Sequence, residues 1–296
     1  MKQKIFFLFL LFPLMAPAQK TDKRLQQQIE KLVMDFKGDI GIYIHDLKHD
    51  KIVSINADTI FPTASIVKIS ILTGIMDKLE KGDLQYHQQL TYKDSLYYAG
   101  EDILGSFKDG EKIKLSKVIM LMLTTSDNTA SLWLQSLAGG GTRINELLDS
   151  IGFKATRVNS RTPGREADRS RYGWGQTTPR DMENFMQKIV NNKLLSSAAS
   201  EKMLRLLSRQ YWDEVAISQV PPGVFIANKN GAVNASRSEI MYVNNPKSPY
   251  ILSVFTKNNK DETWSQTNEA WVLTRRISAL LWKYYNPKSK WKVASE

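Results

Sequence analysis

Apolar residues recur along this chain in two periods, and the alternation between them divides it into stretches of different character. From Asp22 to Phe36 the apolar positions fall at helical spacing, with Thr21-Asp22 as the expected cap. Ile40, Ile42 and Ile44 then alternate with Gly41, Tyr43 and His45, the two-residue period of a half-buried strand. Leu47 to Lys51 is a polar turn and Ile52 to Ile55 a second strand, so the two form a hairpin. Helical spacing returns with Ile66, Ile69, Leu72, Ile75 or Met76, and Leu79, and Gly82 stands just past the end as a C-cap. From Gly82 to about Gln210 only helical patches are found. They are Leu115 to Thr124, Asn128 to Leu137, Thr142 to Ile151, Pro179 to Val190 and Ser197 to Ser208. Pro179 after Thr178 makes a good helix start, whereas Gly139-Gly-Gly141 reads as a flexible turn between helices. Strands resume at Val224 to Lys229, Arg237 to Val243 and Tyr250 to Phe255. A last helix, about Thr267 to Tyr285, carries Trp271, Ile277, Leu281 and Tyr284.

Strands thus flank a long helical insertion, and terminal helices are free to cover the sheet. The pattern predicts an α+β fold: about five antiparallel strands, with an all-helical subdomain inserted after the first two. Residues 19–60 and 212–296 form the α/β part and 61–211 the mostly helical part of one catalytic domain. The first 18 residues stand apart. Lys2 and Lys4 precede an apolar run from Ile5 to Met15 and then Ala16-Pro17-Ala18, the layout of a secretory signal peptide. That run is too short for a permanent membrane span. With no cysteine after it to carry a lipid, the mature protein is expected to be periplasmic or secreted, without stable membrane insertion.

Composition narrows the chemistry. The 296 residues hold 41 Lys and Arg against 30 Asp and Glu, a net charge of +11, and removal of two leader lysines leaves +9 (11 − 2). The basic residues are scattered and no nucleic-acid motif accompanies them. With no cysteine there are neither disulfides nor thiolate metal sites. His45, His49 and His87 lack zinc spacing, and no phosphate-binding glycine loop is present. No metal or cofactor is expected, and a monomer is.

The candidate chemistry lies at the start of the central helix. Ser65 and Lys68 are three residues apart, hence one turn apart on one helix face. A serine hydroxyl needs a base, and a lysine serves as one only when burial or a neighbouring cation lowers its pKa. Alone the pair means little, since Ser289 and Lys292 repeat the spacing in a polar tail. Ser126-Asp127-Asn128, however, follows 61 residues after Ser65, and Lys229-Asn230-Gly231 follows 164 after it.

These three ordered motifs resemble the signature of class A β-lactamases and penicillin-binding serine hydrolases, with Asn230 in place of a threonine. The resemblance runs from about Asp39 to Trp282 and includes Asp102-Ile-Leu-Gly105 and Thr177-Thr-Pro179. It implies a two-part fold with the active site in the cleft between the parts. It further implies that Ser65 is the nucleophile, Lys68 the base with Lys229 across the cleft, and Ser126 the relay to the departing nitrogen. Asn128 would hold the substrate's side-chain amide. Lys229, Asn230 and Arg237 would meet its carboxylate, and the N–H groups of Ser65 and Ala232 would hold the oxyanion. Ala232 is expected just beyond a strand end. Asp127 is expected to anchor its own loop, and Arg237, without a substrate, to be an ordinary solvent-facing strand residue.

The departure lies in the loop from Asn159 to Thr178. The class A family carries Glu-x-x-Leu-Asn there, its glutamate activating the deacylating water; here the stretch reads Ser160-Arg-Thr-Pro-Gly-Arg-Glu-Ala-Asp-Arg-Ser170. Gap-free counting from Thr177 puts Thr162 or Pro163 at the glutamate's place. Glu166 is the candidate carboxylate if the loop is short, Asp168 the alternative. Both acids equally suit pairing with Arg161, Arg165, Arg169 or Arg171. The resemblance implies a secreted serine β-lactamase acting on small-molecule β-lactams through a Ser65 acyl-enzyme. A D-alanyl-D-alanine peptidase acting on peptidoglycan stem peptides is the alternative, and a non-catalytic binder of wall fragments a third.

Overall fold

The computed structural model describes residues 19–100 and 103–292; the expected signal peptide, residues 1–18, and Asp102 lie outside the described residues. In chain order the elements begin with β1 (Lys20–Thr21), α1 (Lys23–Val33), β2 (Asp39–Asp46), β3 (Lys51–Ile55), β4 (Phe61–Pro62) and α2 (Val67–Glu80). There follow β5 (Gln89–Thr91), β6 (Lys112–Lys114), α3 (Leu115–Thr124), α4 (Asn128–Leu137) and α5 (Gly140–Ser150). Next come β7 (Arg157–Val158), α6 (Glu166–Tyr172), β8 (Gly175–Thr177), α7 (Pro179–Val190) and α8 (Ser197–Leu207). The chain returns to the sheet with β9 (Ile226–Val233), β10 (Ser236–Val243) and β11 (Tyr250–Lys257), and α9 (Glu269–Tyr285) follows.

The main sheet has the order β1-β3-β2-β11-β10-β9. Its five long strands are antiparallel, as expected, and the two-residue β1 adds a parallel edge. Alternation along the strands gives the sheet two apolar faces. Ile42, Ile44, Leu252 and Val254 pack with Ile29 of α1 and with Ile277 and Leu281 of α9. Ile240, Ile251 and Phe255 face the other way, into the core shared with α2, α3, α4 and α7. Gly41 in β2 permits this second layer, because a Cβ there would lie 2.5 Å from the Phe61 ring and 2.8 Å from Pro179. Asp22 caps α1 as expected, its carboxylate accepting from the Leu25 N–H at 3.1 Å.

The helical part is centred on α2, in which every residue from Val67 to Met76 is buried. This central helix is why the apolar period there is loose: it is covered on all sides. Several expectations are corrected in this part. The insertion contains short strands, β5 with β6 and the three-stranded β4-β8-β7, where none was expected. Pairs two or three residues long are too brief to show a period. Gly139 takes φ +95° as the N-cap of α5, which Gly140 and Gly141 then open, so the glycine run starts a helix. β9 runs to Val233, well past Lys229, and Ala232 therefore lies inside a strand, in register with Arg237. Among the described residues no helix is long and apolar enough to cross a membrane.

Candidate active site

Four elements converge at the junction of the two parts. The chain enters α2 through a 3₁₀ turn, Ala64–Ile66, that carries Ser65. Ala64 before it has φ +43°, a left-handed value that costs a residue with a Cβ about 1–2 kcal/mol. Lys68, in the first turn of α2, is fully buried beneath the serine. Ser126 sits between α3 and α4 with φ +63°, a second left-handed residue, which turns both its carbonyl and its hydroxyl toward the amine. Asp127 holds that turn in shape. Its Oδ1 accepts from the Ala130 N–H at 2.6 Å, capping α4, and its Oδ2 accepts from Ile103 N at 2.5 Å and Leu104 N at 3.0 Å. This is the loop-anchoring role expected for Asp127.

Lys68 Nζ lies 3.1 Å from Ser65 Oγ, 2.9 Å from Ser126 Oγ, 2.5 Å from Ser126 O and 3.0 Å from Asn128 Oδ1. Two of these four atoms, Ser126 O and Asn128 Oδ1, can only accept. A neutral amine can satisfy these with its two N–H bonds and accept from one of the two hydroxyls at a time. Burial holds the Lys68 pKa well below the usual lysine range; the Lys229 charge adds to this and Asp127 opposes it. Lys229, also fully buried, is lowered by burial to about 7, with Glu239 opposing. Burial is the larger of the two effects that lower Lys68, ahead of the Lys229 charge, and it suits the amine to the role of a base.

Lys229 comes from the edge strand β9, whose outer side faces the 3₁₀ turn. Gly231 makes the approach possible: a Cβ there would stand 2.6 Å from Thr63 O and 2.8 Å from Ser65 N. Ala232 follows on the same edge.

The remaining candidates are placed differently. The Asn230 amide is turned inward, its Oδ1 accepting from Lys229 Nζ at 3.3 Å and its Nδ2 donating to Trp212 O at 3.4 Å. Arg237 is 1% exposed and is not brought to the serine. Its guanidinium donates to the carbonyls of Val233, Asn234 and Ser236 at the hairpin and of Glu262 and Thr263 beyond β11. It is also stacked between Trp264 and Trp271, 4.5 and 4.8 Å from their ring centres. Strand alternation sends it to the α9 side of β10, which corrects both the carboxylate-binding and the solvent-facing expectation.

The loop acids also stand apart. Residues 166–172 form α6, a polar helix not expected from the sequence. Glu166 is exposed in its first turn and accepts from the Gly164 N–H at 3.2 Å. Asp168 pairs with Arg165 at 3.0 Å, and Arg165 in turn donates to Asn159 Oδ1 and Gln176 Oε1 at 3.0 and 2.8 Å. Among the described residues neither acid is hydrogen-bonded to Ser65, Lys68, Ser126 or Asn128, and Thr162 is buried against Ser160 O.

Three further residues of the site were missed. Glu239, opposite Asn230 in register, is buried, accepts from Ala216 N and Asn228 Nδ2, and is pushed up to about 7 by burial. Gln210 and Trp212 touch the end of α3 and β9 together. The only sequence signal for the latter pair is an aromatic doublet, Tyr211-Trp212, following a helix.

Comparison with known proteins agrees with this geometry. The model of the β-lactamase enzyme family matches residues 24–285. β-Lactamase VEB-1 of Pseudomonas aeruginosa is 23% identical, over 95% of this chain and 96% of its own. β-Lactamase CARB-4 of the same organism is also 23% identical, over 97% and 100%. Among solved structures, PBP-A superposes with a TM-score of 0.80 at 23% identity, covering 92% of this chain and 99% of its own. A mutant of PBP-A, solved as an acyl-enzyme complex with penicillin G, gives 0.81 at 23% identity, covering 92% and 100%. A β-lactamase from Chitinophaga pinensis gives 0.79 at 20% identity, covering 89% and 100%.

Proposed function

The chain belongs to the β-lactamase enzyme family, and from that premise we propose that it is a serine hydrolase acylated at Ser65 by β-lactams, with slow release of the acyl group. In this reading the Lys68 lone pair takes the Ser65 proton as Oγ attacks the ring carbonyl. The N–H groups of Ser65 and Ala232 hold the oxyanion, each worth about 3 kcal/mol in the transition state. As the C–N bond breaks, the proton passes from Lys68 through Ser126 Oγ to the departing nitrogen. Asn128 then serves double duty, orienting Lys68 and meeting the substrate amide. Lys229 supplies the positive charge for the substrate carboxylate without help from Arg237.

The observation that carries the reading is the asymmetry of the site. Ser65, Ser126 and Asn128 all meet Lys68 Nζ, whereas Glu166 is exposed and Asp168 is held by Arg165. A positioned general base accelerates such a step by about 10²–10⁴-fold, and among the described residues neither loop acid is placed to serve deacylation as one. This favours the behaviour of a penicillin-binding peptidase, with D-alanyl-D-alanine stem peptides as the physiological substrate, over that of a fast β-lactamase. The β-lactamases among the relatives favour rapid hydrolysis, with Glu166 as base, as the second reading. The enzyme acts as a monomer in the periplasm or outside the cell, in keeping with its leader.

Labelling with a fluorescent penicillin tests the nucleophile. The wild type takes up one equivalent and Ser65→Ala none; a penicilloyl adduct on the substituted protein would remove Ser65 from the mechanism.

A further inference from the structure

Helix α3 ends one residue before the Ser126 turn, and the carbonyls of its last turn have no partner within the helix. One short segment between α8 and β9 takes them in succession. Gln210 Nε2 donates to Leu123 O at 3.0 Å, Tyr211 N to Thr124 O at 3.1 Å and Trp212 Nε1 to Thr125 O at 3.0 Å. The next carbonyl, that of Ser126, accepts from Lys68. The same segment is fastened to β9 on both sides of Lys229. Gln210 Nε2 also donates to Asn228 O at 3.0 Å, and Asn230 Nδ2 donates to Trp212 O at 3.4 Å. Both neighbours of the Gln210 nitrogen are carbonyl oxygens, so the amide cannot be reversed. Its Oε1 is left buried without a partner. The orientation is maintained against that cost.

We infer that Gln210 and Trp212 are positioning residues: they hold the turn that carries Ser126 at a fixed distance from the strand that carries Lys229, and so set the geometry of the Lys68 amine against its two hydroxyl partners. The strap spans the junction of the helical part and the sheet, bonded to the end of α3 on one side and to β9 on the other. The charged groups that would feel it are Lys68, faced by Asp127 and Lys229, and Lys229, faced by Glu239. If the strap is loosened, water reaches the amine and Lys229 draws away. Both changes favour protonated Lys68, so the pH below which acylation fails moves upward.

This inference rests on the proposed acylation of Ser65, and two measurements separate the two. The first is the pH profile of penicillin acylation in Gln210→Met, which keeps the bulk and removes the donors. The rate at pH 7 is expected to fall roughly tenfold, with the acid limb displaced upward by about one pH unit. Trp212→Phe, which keeps a ring and removes one donor, is expected to move both in the same direction by roughly a third as much. The second is a ¹³C NMR titration of the lysine side chains, assigned with Lys68→Ala and Lys229→Ala, which needs no substrate. An upward displacement of the Lys68 titration in either variant supports the strap, even if no penicillin acylates the protein and the reaction assigned to Ser65 fails. A slower or less stable enzyme with an unmoved acid limb and unmoved lysine titration leaves these residues merely structural and overturns the inference. Should Gln210→Met not fold, Trp212→Phe decides it alone on the same two readouts.

Discussion

The cleft base around Lys68 and the loop around Glu166 both carry charged residues suited to catalysis, and the chain treats them in opposite ways. Lys68 and Lys229 are stripped of water, and burial holds both below the ordinary lysine range. Glu166 and Asp168 lie on a short surface helix, Glu166 exposed and Asp168 paired with Arg165. Buried, perturbed groups with convergent polar partners are what a catalytic site requires. Acidic residues in a first helical turn and basic ones in the last are what a free-standing helix prefers. The contrast teaches that carboxylates in this loop serve a water at Ser65 only if the helix that carries them faces the cleft.

The largest expected break in this comparison is Lys68→Ala. Loss of the base should slow acylation by about 10²–10⁴-fold, measured in single-turnover labelling beside a thermal melt that stays close to the wild type. Near-normal acylation would make the buried amine structural. Next is Arg237→Ala, which leaves five carbonyls and two tryptophan faces without their cation. Leaving a buried acceptor without its donor costs about 1–3 kcal/mol. Denaturant unfolding should register that loss while the labelling rate of the folded fraction changes little; a selective loss of carboxylate-bearing substrates would return Arg237 to the cleft.

A third test uses pH. Burial lowers Lys229 from the ordinary lysine value of 10.5 to about 7 in the folded protein. Between these values the unfolded chain binds a proton that the folded chain does not, so this residue makes stability rise with pH across the window. Lys229→Met removes the effect. The variant should therefore melt above the wild type near pH 7.5, with the gap closing toward pH 10. A gap independent of pH would mean that Lys229 is not depressed. The smallest effect is expected from Glu166→Gln and Asp168→Asn, whose acyl-enzymes should last within about twofold of the wild-type lifetime, because an exposed acid or a surface ion pair contributes little. A strong prolongation in either variant would identify the missing base.

Much of this was legible in the sequence where a helix is long or a strand has a buried face. The ranges of α3, α4 and α7 follow from their apolar period and from the Thr178-Pro179 start. The end of β9 was not legible, because Asn228 to Val233 runs three polar residues and then Gly-Ala-Val, which shows no two-residue hydrophobic period. Helix α6 has no buried residue at all, so only its end charges could have announced it. The serine, the lysines and Asn128 could be found because their three motifs resemble a known family signature in order and spacing; helix geometry alone pairs only Ser65 with Lys68. The fate of Arg237 could not, since a strand residue faces one side or the other by register, and register is settled by the hairpin at Asn234-Ala235. Gln210 and Trp212 act through carbonyl oxygens, and backbone acceptors leave no mark on residue identity.

The account turns on the lifetime of the acyl-enzyme in the unaltered protein. Purified protein mixed with benzylpenicillin and followed by time-resolved intact-mass spectrometry reads it directly. A single penicilloyl group should appear on Ser65, in the lysine-dependent step, and persist for hours after free penicillin has been removed. Rapid consumption of many equivalents with only a trace of adduct at any time would contradict the account, and would mean that a water-activating group reaches Ser65 after all.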